Sequence, residues 1–235
     1  DAAESGSQSV TITITENESS PTVTLATSAT SIAENSGSTL TLTATISQAA
    51  DEDVTVNLGA AGTSTNGTDY GSLSSITVSA GDTTGTATFD PTDDSIYEGN
   101  ETAVISISSV SGADAAESGS QSVTITITEN DSAPTVTLAT SATSIAENAG
   151  SSLTLTATLS NATTADVTVG ISTSGTGTEG TDYSTISDIT ISAGATTGTA
   201  SFTPTDDSVY EGNETGIVAI STVSGGSATE DGTQS

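Results

Sequence analysis

The chain has 235 residues and carries 30 acidic side chains but no lysine, arginine or histidine, which gives a formal net charge of −30. Without a cationic side chain it cannot neutralise phosphates, so the composition argues against binding to nucleic acid or to anionic membranes. Histidine, lysine and cysteine are all missing, which removes the usual pairs of nucleophile and base. We therefore do not expect an enzyme.

In the first part of the chain, apolar residues alternate with Ser and Thr in short stretches, which is typical of half-buried β-strands. No stretch has a helical period. The alternation predicts seven strands, in chain order Val23–Leu25, Leu40–Ile46, Val54–Leu58, Ile76–Val78, Ala87–Phe89, Ala103–Ile107 and Val123–Ile127. This spacing predicts an all-β fold, an antiparallel β-sandwich.

The same pattern then repeats. The segment DAAESGSQSVTITITEN starts at Asp1 and again, without a change, at Asp114, an offset of 113 residues. The same offset pairs all six aromatic residues and all four prolines. The chain is therefore a tandem array. We expect the three aromatic residues of each repeat to anchor a core of small β-branched side chains.

The repeats are out of phase with the ends of the chain. The sequence VTITIT at Val10–Thr15 recurs at Val123–Thr128, whereas the second repeat reaches Ser235 where its own copy would begin. We predict a terminal strand of a preceding repeat at 1–17, a first repeat at 18–130, and a second repeat at 131–235 that lacks its last strand. The chain opens at Asp1 without a signal peptide, so we expect a fragment or a processed product.

Many acidic residues lie in the loops between predicted strands, and loops at one end of a sandwich converge. Two like charges about 4 Å apart repel by roughly 4 kcal/mol at an effective dielectric constant of about 20. A divalent cation removes this repulsion, and calcium suits irregular shells of carboxylate and carbonyl oxygens. The alternative is an ordinary solvated acidic surface. The loop acids are Glu34, Asp69, Asp93, Asp94, Glu98, Glu101, Glu129 and Asp131, then Glu147, Asp182, Asp206, Asp207, Glu211 and Glu214.

Three motifs of the first repeat resemble the Calx-beta domain: TDY at Thr68–Tyr70, DDSIYEGNE at Asp93–Glu101, and an alternating strand that ends in TEND at Thr128–Asp131. The resemblance covers both repeats. It implies tandem immunoglobulin-like sandwiches that bind calcium at the domain end, near the junction with the next domain. Calx-beta domains form long arrays on large bacterial surface and adhesin proteins, so the resemblance also implies an extracellular location.

The resemblance further implies which residues bind the metal. In the first repeat these are Glu34, Asp69, Asp93, Asp94, the carbonyl of Ile96, Glu98, Glu129, Asn130 and Asp131. In the second repeat they are Glu147, Asp182, Asp206, Asp207, the carbonyl of Val209, and Glu211. Asn130 offers a neutral oxygen where the family has an acid, so we expect one or two ions per junction. The second repeat lacks the closing acids, so we expect its site to be weaker.

Two structural functions fit these features. The chain is either a calcium-rigidified spacer in a large bacterial adhesin, with neighbouring repeats as its partners, or the subunit of a filament. In the filament, Val10–Thr15 of one copy would complete the second domain of another, and Glu16–Glu18 would complete its calcium site. The ends could equally reflect a cut in a longer array. A ligand-binding module or a calcium sensor is less favoured, because the sequence suggests neither an aromatic platform nor an effector domain.

Overall fold

Alternating apolar residues and threonines place one face of each long strand in a core. In the stretch Leu40–Ile46, Leu42 and Ala44 are fully buried, whereas the threonines between them stay at least partly accessible. A computed structural model describes residues 6, 7 and 9–232, so the predicted terminal segment 1–17 lies partly outside the described residues. The described residues form strands, turns and irregular loops, and none of their segments is a helix that could cross a membrane.

The first repeat has ten strands, of which nine form its two sheets and one lies in a loop that contacts the second repeat. They are β1 (Thr22–Thr27), β2 (Ser31–Ala33), β3 (Leu40–Ile46), β4 (Val54–Gly62), β5 (Ile76–Val78), β6 (Thr84–Phe89), β7 (Ile96–Tyr97), β8 (Glu101–Ser111), β9 (Ala116–Glu117) and β10 (Ser122–Thr128). One sheet has the order β6-β3-β1-β9 and the other β2-β10-β8-β4-β5. Most neighbours are antiparallel, but β9 pairs in parallel with β1, and β2 with β10.

Eight strands follow in the second sandwich. They are β11 (Thr135–Thr140), β12 (Leu153–Leu159), β13 (Ala162–Thr163), β14 (Val167–Gly175), β15 (Ile189–Ile191), β16 (Thr197–Phe202), β17 (Gly216–Ser224) and β18 (Thr229–Glu230). One sheet, β16-β12-β11-β18, matches its counterpart strand for strand. The other is only β15-β14-β17, so β17 forms its edge within the described residues. The two sandwiches meet where β7 pairs in parallel with β13.

The predicted fold class is confirmed: the chain consists of tandem immunoglobulin-like β-sandwiches. All seven predicted strands of the first repeat are present, as β1, β3, β4, β5, β6, β8 and β10. The sequence did not predict β2, β7 and β9, which have only two or three residues each. β7 and β9 are too short to show alternation, and β2 has a single large apolar residue, Ile32, so the strand geometry of all three depends on the neighbours with which they pair.

Each sandwich has its own hydrophobic core. A tyrosine and a phenylalanine stack in each, Tyr70 on Phe89 and Tyr183 on Phe202, with ring centroids 4.6 Å apart in both pairs. The expectation that all three aromatic residues of a repeat lie in its core is wrong for the third. Tyr97 is half-buried at the contact with the second sandwich, and its equivalent Tyr210 is 96% exposed.

We predict that Phe89→Ala destabilises the first sandwich more than Phe202→Ala destabilises the second. Phe89 is fully buried, whereas Phe202 is only half-buried. Removal of the buried ring is expected to lower the free energy of opening by about 3–5 kcal/mol. Hydrogen exchange measured by mass spectrometry on β3 and β6, compared with β12 and β16, resolves the two domains. Equal losses in both domains would contradict the difference in packing.

Candidate metal centre

Four loop segments bring acids together at one end of the first sandwich. Glu34 follows β2, Asp69 precedes the buried Tyr70, Asp93–Glu98 surround β7, and Glu129–Asp131 follow β10. Each segment is held by backbone hydrogen bonds. For example, the Thr65 N–H donates to the Asp69 carboxylate at 2.5 Å, and the Thr92 N–H donates to the Asp69 carbonyl at 2.9 Å. The fold therefore fixes the loops before any ligand is considered.

Asp69, Glu98 and Glu101 form the first cluster. Each offers one carboxylate oxygen, and these oxygens lie within 4.8 Å of one another. All three residues are partly buried. Burial raises the pKa of Glu98, and the charges of neighbouring acids raise it further. Burial raises the pKa of Glu101 to about 7, with further contributions from a hydrogen bond to Asp69 and from its charge. Three converging oxygens without a counter-charge suit a cation.

Glu34 is the most buried acid of this end, with 7% of its surface exposed. The Asp94 N–H donates to its Oε1 at 3.4 Å. Burial raises the pKa of Glu34 to about 7; this hydrogen bond opposes the rise, and the charges of Glu129, Asp94 and Glu98 add to it. A buried carboxylate beside three other acids is unfavourable in its charged form unless a positive charge compensates it.

The negative charge of Glu129 is compensated by backbone N–H groups. Its Oε2 accepts the N–H groups of Glu98 and Gly99 at 2.7 and 2.9 Å, and its Oε1 accepts those of Asn130 and Asp131 at 2.9 and 2.8 Å. Burial raises the pKa of Glu129, but these four donors outweigh it and the net shift is downward. Glu129 therefore ties the β7 loop to the segment that leads into the second sandwich.

Asp131 is less well satisfied. Its Oδ2 is buried and has no hydrogen-bond partner among the described residues. Burial raises its pKa, as do the charges of Glu129, Asp93 and Asp94. Its neighbour Asn130 is exposed. An unpartnered carboxylate oxygen in an all-oxygen environment fits a hard divalent cation.

Ile96 lies between the clusters and the second sandwich. Its N–H donates to Asp94 Oδ1 at 2.7 Å, and its backbone is part of β7. In that strand, Ile96 is paired with Ala162 and Tyr97 with Thr163 of β13. A metal-binding role for the Ile96 carbonyl stays a prediction. The exposed Asp93 faces solvent but lies close enough to raise the pKa of Asp131.

The second sandwich carries an open version of this arrangement. Its carboxylate oxygens converge in two groups that share Glu211, namely Glu147, Asp207 and Glu211, and Asp182, Glu211 and Glu214. The Asp207 N–H donates to Glu147 at 3.0 Å, and the Val209 N–H donates to Asp207 at 2.6 Å. Asp206 lines a small pocket with Glu147. Only Asp182 of the two groups is partly buried, because no described segment covers this end as β10 and Glu129–Asp131 cover the first.

The predicted ligand sets omitted Glu101 and Glu214, although both lie in clusters. The sequence carried a signal for them, since both are among the loop acids of the EGNE motif. Glu101 starts β8, where it is paired with Ile127 of β10. Only this pairing shows that the residue lies at the end of the sheet, beside Asp69 and Glu98.

Comparison with known proteins shows the family to which the two sandwiches belong. The family model of the Calx-beta domain matches residues 16–131 and 129–234, so both matches include Glu129–Asp131. The crystal structure of CBD12 from CALX1.2 is 17% identical, with 77% of this chain and 74% of that chain covered at a TM-score of 0.40. The crystal structure of the apo-form Calx CBD1 domain is 18% identical, with 47% of this chain and 99% of that chain covered at a TM-score of 0.40. The crystal structure of calcium binding domain CBD12 of CALX1.1 is 16% identical, with 82% of this chain and 77% of that chain covered at a TM-score of 0.38. No curated protein matches the chain.

The metal-free protein is expected to lose stability as the pH rises from about 4.5 to above 7. The folded state raises the pKa of Glu34 and Glu101 to about 7, so both groups favour folding while protonated and oppose it once ionised. Thermal unfolding in chelator at pH 5 and pH 8 measures this effect. Glu34→Gln should reduce the difference, and Glu147→Gln, at the exposed equivalent position, is the control. A melting temperature that rises over this range would refute the expectation.

Proposed function

The chain belongs to the Calx-beta family, with two domains in tandem, and we propose that it binds calcium at the end of the first sandwich and that the ion fixes the angle between the two domains. On this proposal it is a spacer of a large extracellular bacterial surface protein or adhesin. The repeated domains extend the spacer, and calcium stiffens it.

One observation carries the proposal: the strand that contacts the second sandwich lies inside the metal-binding loop. Asp94 and Glu98 flank β7, and β7 pairs with β13 of the next domain. An ion held by these two carboxylates restricts both ends of the strand. Ion binding and the orientation of the second domain are therefore coupled through two or three residues of backbone.

The segment between the sandwiches supports the same coupling. Only residues 129–134 separate β10 from β11. Glu129 already holds this segment against the β7 loop through its four N–H donors. Pro134 is buried and has a fixed φ, which stiffens the start of the second domain. An ion that also binds the unpartnered oxygen of Asp131 would remove the remaining freedom of the segment.

The calcium affinity and the stabilisation that this proposal requires are those of an extracellular module. Such modules bind calcium with a Kd of about 10⁻⁴–10⁻³ M. At a free concentration one hundred times Kd, the ion stabilises the folded state by about 2.7 kcal/mol per site. That is a large share of the few kcal/mol by which a small domain is stable. Two closely similar repeats also suit extension better than recognition, which would call for a distinctive binding loop.

We predict that calcium converts a flexible pair of domains into a rigid one, and that Asp94→Asn prevents this. Asparagine keeps an oxygen that can accept the Ile96 N–H but loses the charge that an ion requires. Small-angle scattering with calcium and with chelator is expected to show a narrow and a broad distribution of interatomic distances, respectively. The variant should give the broad distribution in both buffers.

Asp207→Asn is the matched control, because Asp207 occupies the equivalent position in the second sandwich and also accepts the N–H two residues on. It should lower calcium binding measured by titration calorimetry but leave the two domains rigid in calcium. Identical scattering of the unmodified chain with and without calcium would refute rigidification. Absence of any calorimetric signal at millimolar calcium would refute calcium binding itself.

A filament subunit is the second candidate function, favoured by two surfaces that match each other. Val10, Ile12 and Ile14 are 88%, 82% and 93% exposed. The second sandwich leaves β17 as a sheet edge within the described residues. In the first sandwich, Val123–Thr128 of β10, which has the same sequence as Val10–Thr15, pairs with β8, the strand equivalent to β17. This candidate differs from the spacer in requiring contact between separate copies.

A further inference from the structure

The carboxylate of Glu129 lies in a concave site made of backbone groups. The consecutive N–H groups of Glu98 and Gly99 both donate to its Oε2, at 2.7 and 2.9 Å. Gly99 has a φ of 77°, in the left-handed region that glycine adopts readily. Consecutive N–H groups that converge next to a left-handed residue form a nest, which is a binding site for anions. The anion that fills this nest is therefore a side chain of the protein itself.

The other oxygen of Glu129 is occupied as well. Its Oε1 accepts the N–H groups of Asn130 and Asp131 at 2.9 and 2.8 Å. A carboxylate has about four acceptor positions, and four N–H donors use them here. A cation could bind this carboxylate only by displacing donors, which would leave partly buried N–H groups without partners. Glu129 therefore lacks the spare acceptor capacity that a metal ligand needs.

The neighbouring acids have that capacity. Glu34 is buried, and the Asp94 N–H donates to it only at 3.4 Å. The Oδ2 of Asp131 is buried and has no hydrogen-bond partner among the described residues. A hard cation at this end of the sandwich would take its oxygens from these acids rather than from one that is already saturated.

We infer that Glu129, which the family resemblance places among the metal ligands, does not bind the ion but closes the junction as a hydrogen-bonded clasp. Its carboxylate joins the β7 loop to segment 129–131. It also holds Asp131 in place as the ligand that this segment contributes. The clasp itself needs no ion, whereas its effect on the ion rests on the proposed calcium binding.

One half of the clasp comes from the local sequence and the other half from the tertiary structure. The order Thr, Glu, Asn and an acid occurs at Thr15–Glu18 and again at Thr128–Asp131. In the first of these, Glu16 Oε1 accepts the next two N–H groups at 2.8 and 3.1 Å, as Glu129 Oε1 does in the second. The bonds to Oε2 of Glu129 instead require that β10 ends beside the β7 loop.

A further bond extends the clasp. The Oδ1 of Asn100 accepts the N–H of Glu129 at 3.0 Å, so three consecutive loop residues contact this one glutamate. The side chain of Glu98 meanwhile lies in the cluster with Asp69 and Glu101. Glu129 therefore orders the β7 loop and segment 129–131 before an ion arrives. Because preorganised groups lose less freedom on binding, we expect the clasp to strengthen calcium binding without adding a ligand.

The clasp is tested in chelator, where its hydrogen bonds act alone. Glu129→Gln keeps the size of the side chain but replaces one acceptor oxygen with an NH2 donor, so two of the four N–H donors lose their partner. Hydrogen exchange of those two amides, resolved by nuclear magnetic resonance, should become about tenfold faster or more. Asp131→Asn is the matched control, because it removes a charge from the same segment but none of the bonds to Glu129. It should leave this exchange unchanged.

Calcium then distinguishes a clasp from a ligand. In titration calorimetry, Glu129→Gln should bind as many ions as the unmodified chain, with an affinity about tenfold lower because the site is less well ordered. A crystal structure of the unmodified chain with calcium should place an ion at Asp131 and none within about 2.6 Å of Glu129.

Four results would overturn the inference: a calcium ion at that distance from Glu129, bound calcium that does not contact Asp131, an ion lost in Glu129→Gln, or unchanged exchange of all four donor amides in that variant. Absence of calcium binding to the unmodified chain would instead refute the proposed function. In that case the exchange measured in chelator still decides whether Glu129 is a clasp.

Discussion

The constraint on which this structure depends is that the chain contains no cationic side chain. A negative charge that folding partly buries can be compensated only by hydrogen-bond donors, such as backbone N–H groups or the Thr173 hydroxyl that donates to Glu179, or by a cation from solution. Glu129 shows the first solution, with four N–H donors around one carboxylate. Glu34 and the Oδ2 of Asp131 have too few donors for their burial, so they favour the second.

The position of these acids links their charge to the orientation of the second sandwich. They do not lie on a free surface but around β7, which pairs with the second sandwich. Compensation of the charge and orientation of the next domain therefore occur in one loop. A cation that relieves the repulsion also restricts the junction, which is the physical basis of the proposed spacer.

Two repeats of similar sequence differ in packing at the position of one strand. In the first, β10 places Ile125 and Ile127 in the core, and the carbonyl of its last residue, Thr128, accepts the N–H of the buried Glu34. In the second, the described residues supply no such strand, and the equivalent Glu147 is exposed beside an open cleft. The last strand and the acidic end are thus one unit, since the strand both closes the core and delivers the closing acids.

The sequence by itself determined the tandem repeat, the seven main strands and the loops that hold the acids, because alternation and self-similarity are local properties that neighbouring residues reveal. It also identified Asp69, Asp94 and Glu98 among the loop acids. Only the tertiary structure decided that Glu101 joins Asp69 and Glu98, that Glu129 is saturated by N–H donors, and that Tyr97 contacts the second domain while Tyr210 is exposed. Each of these depends on which distant strand ends meet, and short strands such as β2 and β7 exist only because a partner strand pairs with them.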